Sequence, residues 1–74
     1  MRQLDRKATG KNLKRLFRER GLTIAAVSEW FGFDTMSTVS NWTRGVCAPR
    51  VESLVALTDL LGVTIDDIIV TVKV

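Results

Sequence analysis

Four glycines divide this 74-residue chain into short segments that have helical periodicity. In the stretch before each glycine, apolar residues recur three or four positions apart; the glycines are Gly21, Gly32, Gly45 and Gly62. That spacing gathers the apolar side chains on one helix face, and glycine commonly follows the last residue of a helix. The pattern predicts helices over residues 10–20, 24–31, 35–44 and 51–61.

Helix starts are marked by side chains that can accept a hydrogen bond from the first turn. The predicted N-cap residues are Thr9 for the first helix, Thr23 for the second, and Asp34 or Thr35 for the third. Thr64 followed by Asp67 is similar to a capping box, with Asp in place of the usual Glu, and predicts a short fifth helix. The side chains predicted to form the core are Leu13, Leu16, Phe17, Val27, Ser28, Phe31, Val39, Trp42, Leu54, Val55, Leu57 and Leu61.

Length and composition predict one small domain. Seventy-four residues lie near the lower limit at which a chain forms a core without disulfides or metals. The lone cysteine, Cys47, excludes an internal disulfide and suits a reducing compartment. No apolar run approaches the roughly 20 residues that span a bilayer, and no signal peptide is recognisable. We therefore expect a cytoplasmic location and no membrane partner.

The charge is distributed unevenly along the chain. Residues 1–20 carry eight basic and two acidic side chains, whereas residues 21–74 carry three basic and six acidic ones. Such an asymmetry fits a surface that binds a polyanion, and equally a basic helix face that is only solvated. Charge alone leaves both interpretations open.

The segment 35–45, TMSTVSNWTRG, combines a thin apolar anchor with a polar rim. Val39 and Trp42 lie three residues apart, so they can hold one face of a helix against a core. The other side chains of this helix are mostly small, polar or flexible. A helix of this kind suits insertion into a groove better than burial on all sides.

The two ends of the chain lack the helical pattern. Residues 1–8 have no clear periodicity and are predicted to form an arm, whereas residues 70–74 read V-T-V-K-V, which favours a strand or an extended tail. One strand alone is not stable, so it needs a partner strand, which a second copy of the chain could supply. We hypothesise that residues 68–74 mediate self-association.

The sequence contains no arrangement of residues that supports catalysis. It has no histidine and no tyrosine, Cys47 has no imidazole to activate it, and metal-ligand spacing is absent. Asp66 and Asp67 are adjacent, so they do not face each other on a helix. We expect no enzymatic activity, no cofactor and no metal.

Four motifs, at their particular separations, carry a resemblance to a known family. They are NLKRLFRERGLT, VSEWFGF, TVSNWTRG and PRVESLVALTDLLGVTIDDII. With these motifs the chain resembles the xenobiotic-response-element family of helix-turn-helix regulators, to which phage lambda repressor belongs. The resemblance implies an all-α, five-helix, lambda-repressor-like helix-turn-helix domain over residues 9–69. The predicted N-terminal arm at 1–8 and the tail or short strand at 70–74 lie outside it.

The resemblance also implies which residues contact DNA. The third helix, at about residues 35–44, would enter the major groove. Base or groove contacts are expected from Met36, Ser37, Ser40 and Asn41, and phosphate contacts from Lys11, Asn12, Arg44 and Arg50. The basic residues in the middle of the first helix, Lys14, Arg15 and Arg18, are left unassigned, because this part of the fold usually points away from the duplex.

The chain departs from the family pattern in two informative places. Ile24 stands where a glutamine usually grips a phosphate, and alanines replace the acidic residues that usually follow it. The stretch between Gly32 and Trp42 is one residue longer than the common pattern. The first departure removes an expected phosphate contact, and the second could tilt the third helix.

The prediction is a sequence-specific transcriptional regulator, a repressor that binds double-stranded DNA as a homodimer. The alternative is a protein-interaction module, such as an antitoxin, whose DNA binding is weak or secondary. Apolar side chains on the second helix and at the C-terminus define the surface expected for a protein partner. They are Ala26, Trp30, Ile68, Val70, Val72 and Val74.

Overall fold

The computed structural model describes residues 1–74 as five helices and a two-stranded sheet. In chain order the elements are β1 (Arg2–Leu4), α1 (Arg6–Glu19), α2 (Ile24–Phe31), α3 (Ser37–Arg44), α4 (Val51–Leu61), α5 (Ile65–Ile68) and β2 (Thr71–Lys73). The predicted five-helix architecture is confirmed, and α2 and α4 have the predicted bounds. None of the helices is both long enough and apolar enough to cross a membrane.

Helix α1 begins earlier than the sequence predicted. Asp5 is its N-cap, and the Oδ1 atom of Asp5 accepts a hydrogen bond from the Ala8 N–H at 2.9 Å. The predicted cap at Thr9 was wrong, because Thr9 is buried within α1. Its Oγ1 accepts a hydrogen bond from the Val70 N–H at 2.9 Å, so Thr9 ties α1 to the C-terminal segment.

Strands β1 and β2 join the two ends of the chain. They are antiparallel, with the pairs Arg2 and Lys73, Gln3 and Val72, and Leu4 and Thr71. The strand predicted near the C-terminus is therefore present, but its partner comes from the same chain and not from a second copy. The residues predicted to form a free arm instead supply β1 and the first turn of α1.

All five helices contribute to one apolar core. Its buried side chains are Leu13, Leu16, Phe17, Val27, Val39, Trp42, Leu57, Leu61 and Ile68. Ile68 was predicted to lie on a partner surface, and that prediction was wrong, because α5 lies against α1 and α4 and buries this side chain completely. Val55 was predicted to be in the core but is 54% exposed. It precedes Leu57 by two positions, which places it about 160° away around the helix.

An aromatic cluster holds the turn between α2 and α3. The ring of Phe33 stacks on Phe31 with centroids 5.1 Å apart, and it meets Trp42 edge-on at 6.1 Å. Phe31 also meets Trp42 edge-on, at 5.5 Å. Because Trp42 belongs to α3, Phe33 packs the start of this turn against the helix that the turn precedes. Asp34 and Thr35, which follow in the turn, are exposed.

Candidate nucleic-acid interface

Helix α3 has one buried and one exposed face. Val39 and Trp42, the predicted anchors, are 0% and 3% exposed. The N-cap position is Met36, whose side chain makes no capping bond, so the predicted cap at Asp34 or Thr35 was wrong. Thr35 makes only a long contact, in which its Oγ1 accepts from the Ser37 N–H at 3.4 Å. Gly45 ends the helix with a φ of 75°.

The residues predicted to contact bases lie on α3 or at its start, away from the anchors. Met36 is 53% exposed. Ser37 is exposed, and Ser40 and Asn41 are partly buried. The side chains of these three polar residues make no hydrogen bond within the chain. Their donors and acceptors are therefore available to a partner outside the chain.

Gly10 allows α1 to approach the C-terminal half of α3. A Cβ atom at this position would lie 2.5 Å from the carbonyl oxygen of Trp42 and 2.7 Å from that of Thr43. Such distances are far inside van der Waals contact, so a larger residue would push the two helices apart. No local pattern in the sequence indicated this role of Gly10. Its only signal was a glycine inside a helix, where glycine is unfavourable relative to alanine by roughly 0.5–1 kcal/mol.

The start of α1 also contacts the end of α3. A Cβ atom at Gly45 would lie 2.7 Å from the Cα atom of Lys7. The Nη1 atom of Arg6 donates to the carbonyl oxygen of Val46 at 3.3 Å. Arg6 and Lys7 therefore lie beside the turn that follows Arg44. Neither was predicted as part of the site, because their position depends on the packing of α1 against α3.

Three of the residues predicted to bind phosphate are free to do so. Lys11, Arg44 and Arg50 are exposed, and their side chains form no hydrogen bond or ion pair within the chain. Arg50 occupies the N-cap position of α4. It also lines an open cavity of about 500 Å³ together with Thr38 of α3. Arg50 thus lies on one flank of α3.

Asn12 requires a correction, because its side chain is bonded within the domain. Its Nδ2 atom donates to the carbonyl oxygens of Asp67, at 2.6 Å, and Ile68, at 2.8 Å. Its Oδ1 atom accepts a hydrogen bond from Arg15. Asn12 therefore links α1 to the last turn of α5, and we remove it from the set of candidate phosphate contacts.

The residues predicted for a protein partner lie on separate elements and differ in exposure. Ala26 is exposed on α2, where Trp30 is 48% exposed. Val72 and Val74, on β2 and just after it, are 43% and 71% exposed. Val70 is partly buried, and its carbonyl oxygen accepts from the Asp5 N–H at 2.8 Å.

The capping box predicted for α5 is confirmed. The backbone N–H and the hydroxyl of Thr64 each donate to the Asp67 carboxylate at 3.0 Å. These two hydrogen bonds, the backbone one first, hold the pKa of Asp67 below its ordinary value. No group of three or more His, Cys, Asp or Glu side chains is placed to hold a metal ion.

Comparisons with known proteins agree with this geometry. The family profile of the Cro/C1-type HTH DNA-binding domain matches residues 12–73. The crystal structure of the DNA-binding domain of BldD is similar to this chain, with a TM-score of 0.75 and 25% sequence identity. The similarity covers 89% of this chain and 94% of the BldD domain. No curated protein matches the sequence significantly. The chain belongs to the lambda repressor-like, Cro/C1-type helix-turn-helix DNA-binding domain family.

Proposed function

We propose that this protein is a sequence-specific transcriptional repressor that inserts α3 into the major groove of double-stranded DNA. One observation carries the proposal. The outer face of α3 presents polar side chains with no hydrogen-bond partner in the chain, while Val39 and Trp42 fix the helix from inside. The major groove, about 12 Å wide, admits a helix held in this way.

The chemistry of the outer face suits contacts with base edges. The Asn41 amide can pair with adenine through two hydrogen bonds, and the hydroxyls of Ser37 and Ser40 can donate or accept. The exposed Met36 side chain can contact a thymine methyl group. These four residues are the proposed determinants of sequence preference.

Basic side chains around α3 supply the contacts that do not depend on sequence. Arg44 at the end of α3, Arg50 at the start of α4 and Lys11 on α1 are the proposed phosphate contacts. Phosphate contacts fix the position of a protein on the duplex and make binding sensitive to salt.

We further propose that the protein binds DNA as a homodimer. One domain of this size offers few base contacts, and two half-sites about one helical turn apart would double them. Because Ile68 is buried, self-association through the C-terminal segment would have to use Val72 and Val74. Sedimentation of the variant Val72→Ser/Val74→Ser, beside wild type, tests whether these two side chains hold a dimer together. A loss of dimer is expected, and a wild-type monomer well above the concentrations that bind DNA would contradict dimerisation.

A protein-interaction module, such as an antitoxin, is the second candidate function. It is favoured by Trp30, a large aromatic side chain that is 48% exposed, next to the exposed Ala26 on the same helix. In this alternative, Trp30→Ala would abolish binding of a partner protein, and DNA binding would be weak.

Membership of the xenobiotic-response-element branch of the family and a cytoplasmic location also remain predictions.

Fluorescence anisotropy tests the proposed function. Labelled duplex from the region upstream of the protein's own gene, or a duplex selected from random sequences, is titrated beside scrambled DNA across a salt series. At about 150 mM salt we expect the specific duplex to bind at least about a thousandfold more tightly, since specific-to-nonspecific ratios begin near that value. Equal, weak binding of every duplex would contradict sequence-specific regulation and favour the protein-interaction module.

A further inference from the structure

A second groove lies on the flank of α3 that is remote from Arg50. It has a volume of about 230 Å³ and is lined by Lys14, Phe17, Arg18, Leu22, Ile24 and Thr43. The groove therefore brings together the middle of α1, the first residue of α2 and the end of α3. Thr43 lines this groove and Thr38 lines the cavity beside Arg50. They are five positions apart in the sequence, so they lie about 140° apart around α3.

The basic face of α1 divides into free and bonded residues. Lys14 and Arg18 are four positions apart, share a helix face and line the groove. Both are exposed, and neither side chain forms a hydrogen bond or an ion pair within the chain. Arg15 is different, because its guanidinium forms an ion pair with Glu19 at 2.8 Å and also donates to Asn12. Only Lys14 and Arg18 are free to bind an anion at the groove.

The start of α2 adds unpaired donors to the same place. The Oγ1 atom of Thr23 accepts from the Ala26 N–H at 3.0 Å. The N–H groups of Ile24 and Ala25 have no acceptor within the chain. The first turn of a helix favours an anion, but the side chain of Ile24 supplies neither charge nor hydrogen bond. A positively charged side-chain contact with an anion here must come from a neighbouring element, because α2 contains no basic residue.

We propose that Lys14 and Arg18 bind DNA backbone phosphates at this groove while α3 occupies the major groove. This differs from the expectation that the middle of α1 points away from the duplex, because the groove places both side chains beside Thr43 of α3. The inference rests on the proposed function and adds a site to it. The two basic side chains of α1 supply the contact that Ile24 cannot make. Because Arg50 lies on the other flank of α3, the two sites would hold the two phosphate backbones that border the major groove.

The salt dependence of binding tests this site. The variant Lys14→Ala/Arg18→Ala is compared with Arg15→Ala/Lys73→Ala, which removes the same charge from bonded or remote positions. Each lost phosphate contact lowers the slope of log K against log salt by about 0.9. We therefore expect the first variant to reduce the magnitude of the slope by almost 2 for each DNA-bound subunit, about 0.9 for each contact. Binding to specific and to scrambled DNA should weaken by the same factor. The exchange Lys14→Arg/Arg18→Lys should retain the slope, and thermal unfolding followed by circular dichroism shows that each variant is folded.

The outcomes separate this inference from the proposed function. If wild-type protein prefers its specific duplex but Lys14→Ala/Arg18→Ala changes the slope no more than the control variant does, the groove binds no phosphate and only this inference fails. If wild-type protein binds no DNA across the salt series, the proposed function fails and the inference fails with it. A slope that falls only in the first variant, and is retained in the charge-exchanged variant, supports the site.

Discussion

The inner and outer faces of α3 belong to the same short segment, but the inner face packs against the core and the outer face leaves its polar groups unbonded. On the inner face, Val39 and Trp42 are buried, and the helix backbone lies so close to Gly10 that no Cβ atom fits between them. On the outer face, Ser37 and Asn41 have no side-chain hydrogen bond within the chain. The inner face is therefore fixed by packing, whereas substitutions on the outer face should leave the fold intact.

Two asparagines have the same side chain but differ in whether it is bonded within the chain. Asn12 donates to two carbonyl oxygens of α5, whereas the amide of Asn41 has no partner in the chain. Both were predicted from the sequence to contact DNA. The structure separates them, because one amide is already bonded and the other is available. Their substitutions should accordingly affect different measurements.

Gly10→Ala is expected to have the largest effect. The added methyl group would meet the carbonyl oxygens of Trp42 and Thr43, and overpacking of this kind costs roughly 1–3 kcal/mol of unfolding free energy. We expect a value near the upper end, because backbone atoms cannot move aside as side chains do. Urea unfolding provides the measurement. Gly21→Ala is the comparison variant: a Cβ atom there meets nothing within 4 Å, but its φ of 66° strains an alanine. We expect it to lose about 1–2 kcal/mol from backbone strain alone, a cost that Gly10→Ala does not carry. Equal stability of Gly10→Ala and wild type would contradict the close approach.

Asn41→Ala should change DNA preference without changing stability. A good bidentate contact with a base contributes about 1–3 kcal/mol of discrimination, so we expect a loss of preference of roughly 5- to 160-fold. The unfolding free energy should stay within about 0.5 kcal/mol of wild type, as for other surface substitutions. Anisotropy with specific and scrambled DNA measures the first effect, and urea unfolding the second. An unchanged preference would remove Asn41 from the proposed base contacts.

Asn12→Ala should give the reverse pattern. Loss of its amide leaves the carbonyl oxygens of Asp67 and Ile68 without their donor, which costs about 1–2 kcal/mol of stability. The ratio of specific to scrambled DNA binding should be unchanged when measured at a temperature where the variant is folded. A stable variant with weakened DNA binding would instead restore Asn12 as a phosphate contact.

The smallest expected effect concerns pH and the capping box of α5. The pKa of Asp67 is lowered in the folded state, so its stabilising contribution is present above the ordinary carboxyl pKa. That contribution is lost as the pH falls through the lowered value of the folded protein. Asp67→Asn should therefore reduce the difference in urea midpoint between neutral and acidic pH. Asp66→Asn, whose side chain forms no hydrogen bond, serves as the control and should retain the wild-type difference.

Local sequence patterns predicted which helix faces are buried, but they did not predict contacts between distant segments. The spacing of Val39 and Trp42 identified the buried face of α3, because helix periodicity is a local property. The roles of Gly10 and Asn12 depend on atoms of distant segments, so no local pattern indicated them. Ile68 was misassigned for the same reason, because its burial follows from the packing of α5 against α1 and α4.

The most direct test of the account is a map of backbone amide shifts by NMR when the protein binds a duplex selected from random DNA. We expect the largest changes along Ser37–Arg44, with further changes at Lys14, Arg18 and Arg50 on the two flanks of this helix. Amides near Trp30 and in the last turn of α5 should change little. Changes concentrated at Trp30 and β2, with α3 unperturbed, would contradict the assignment of α3 as the helix that reads DNA.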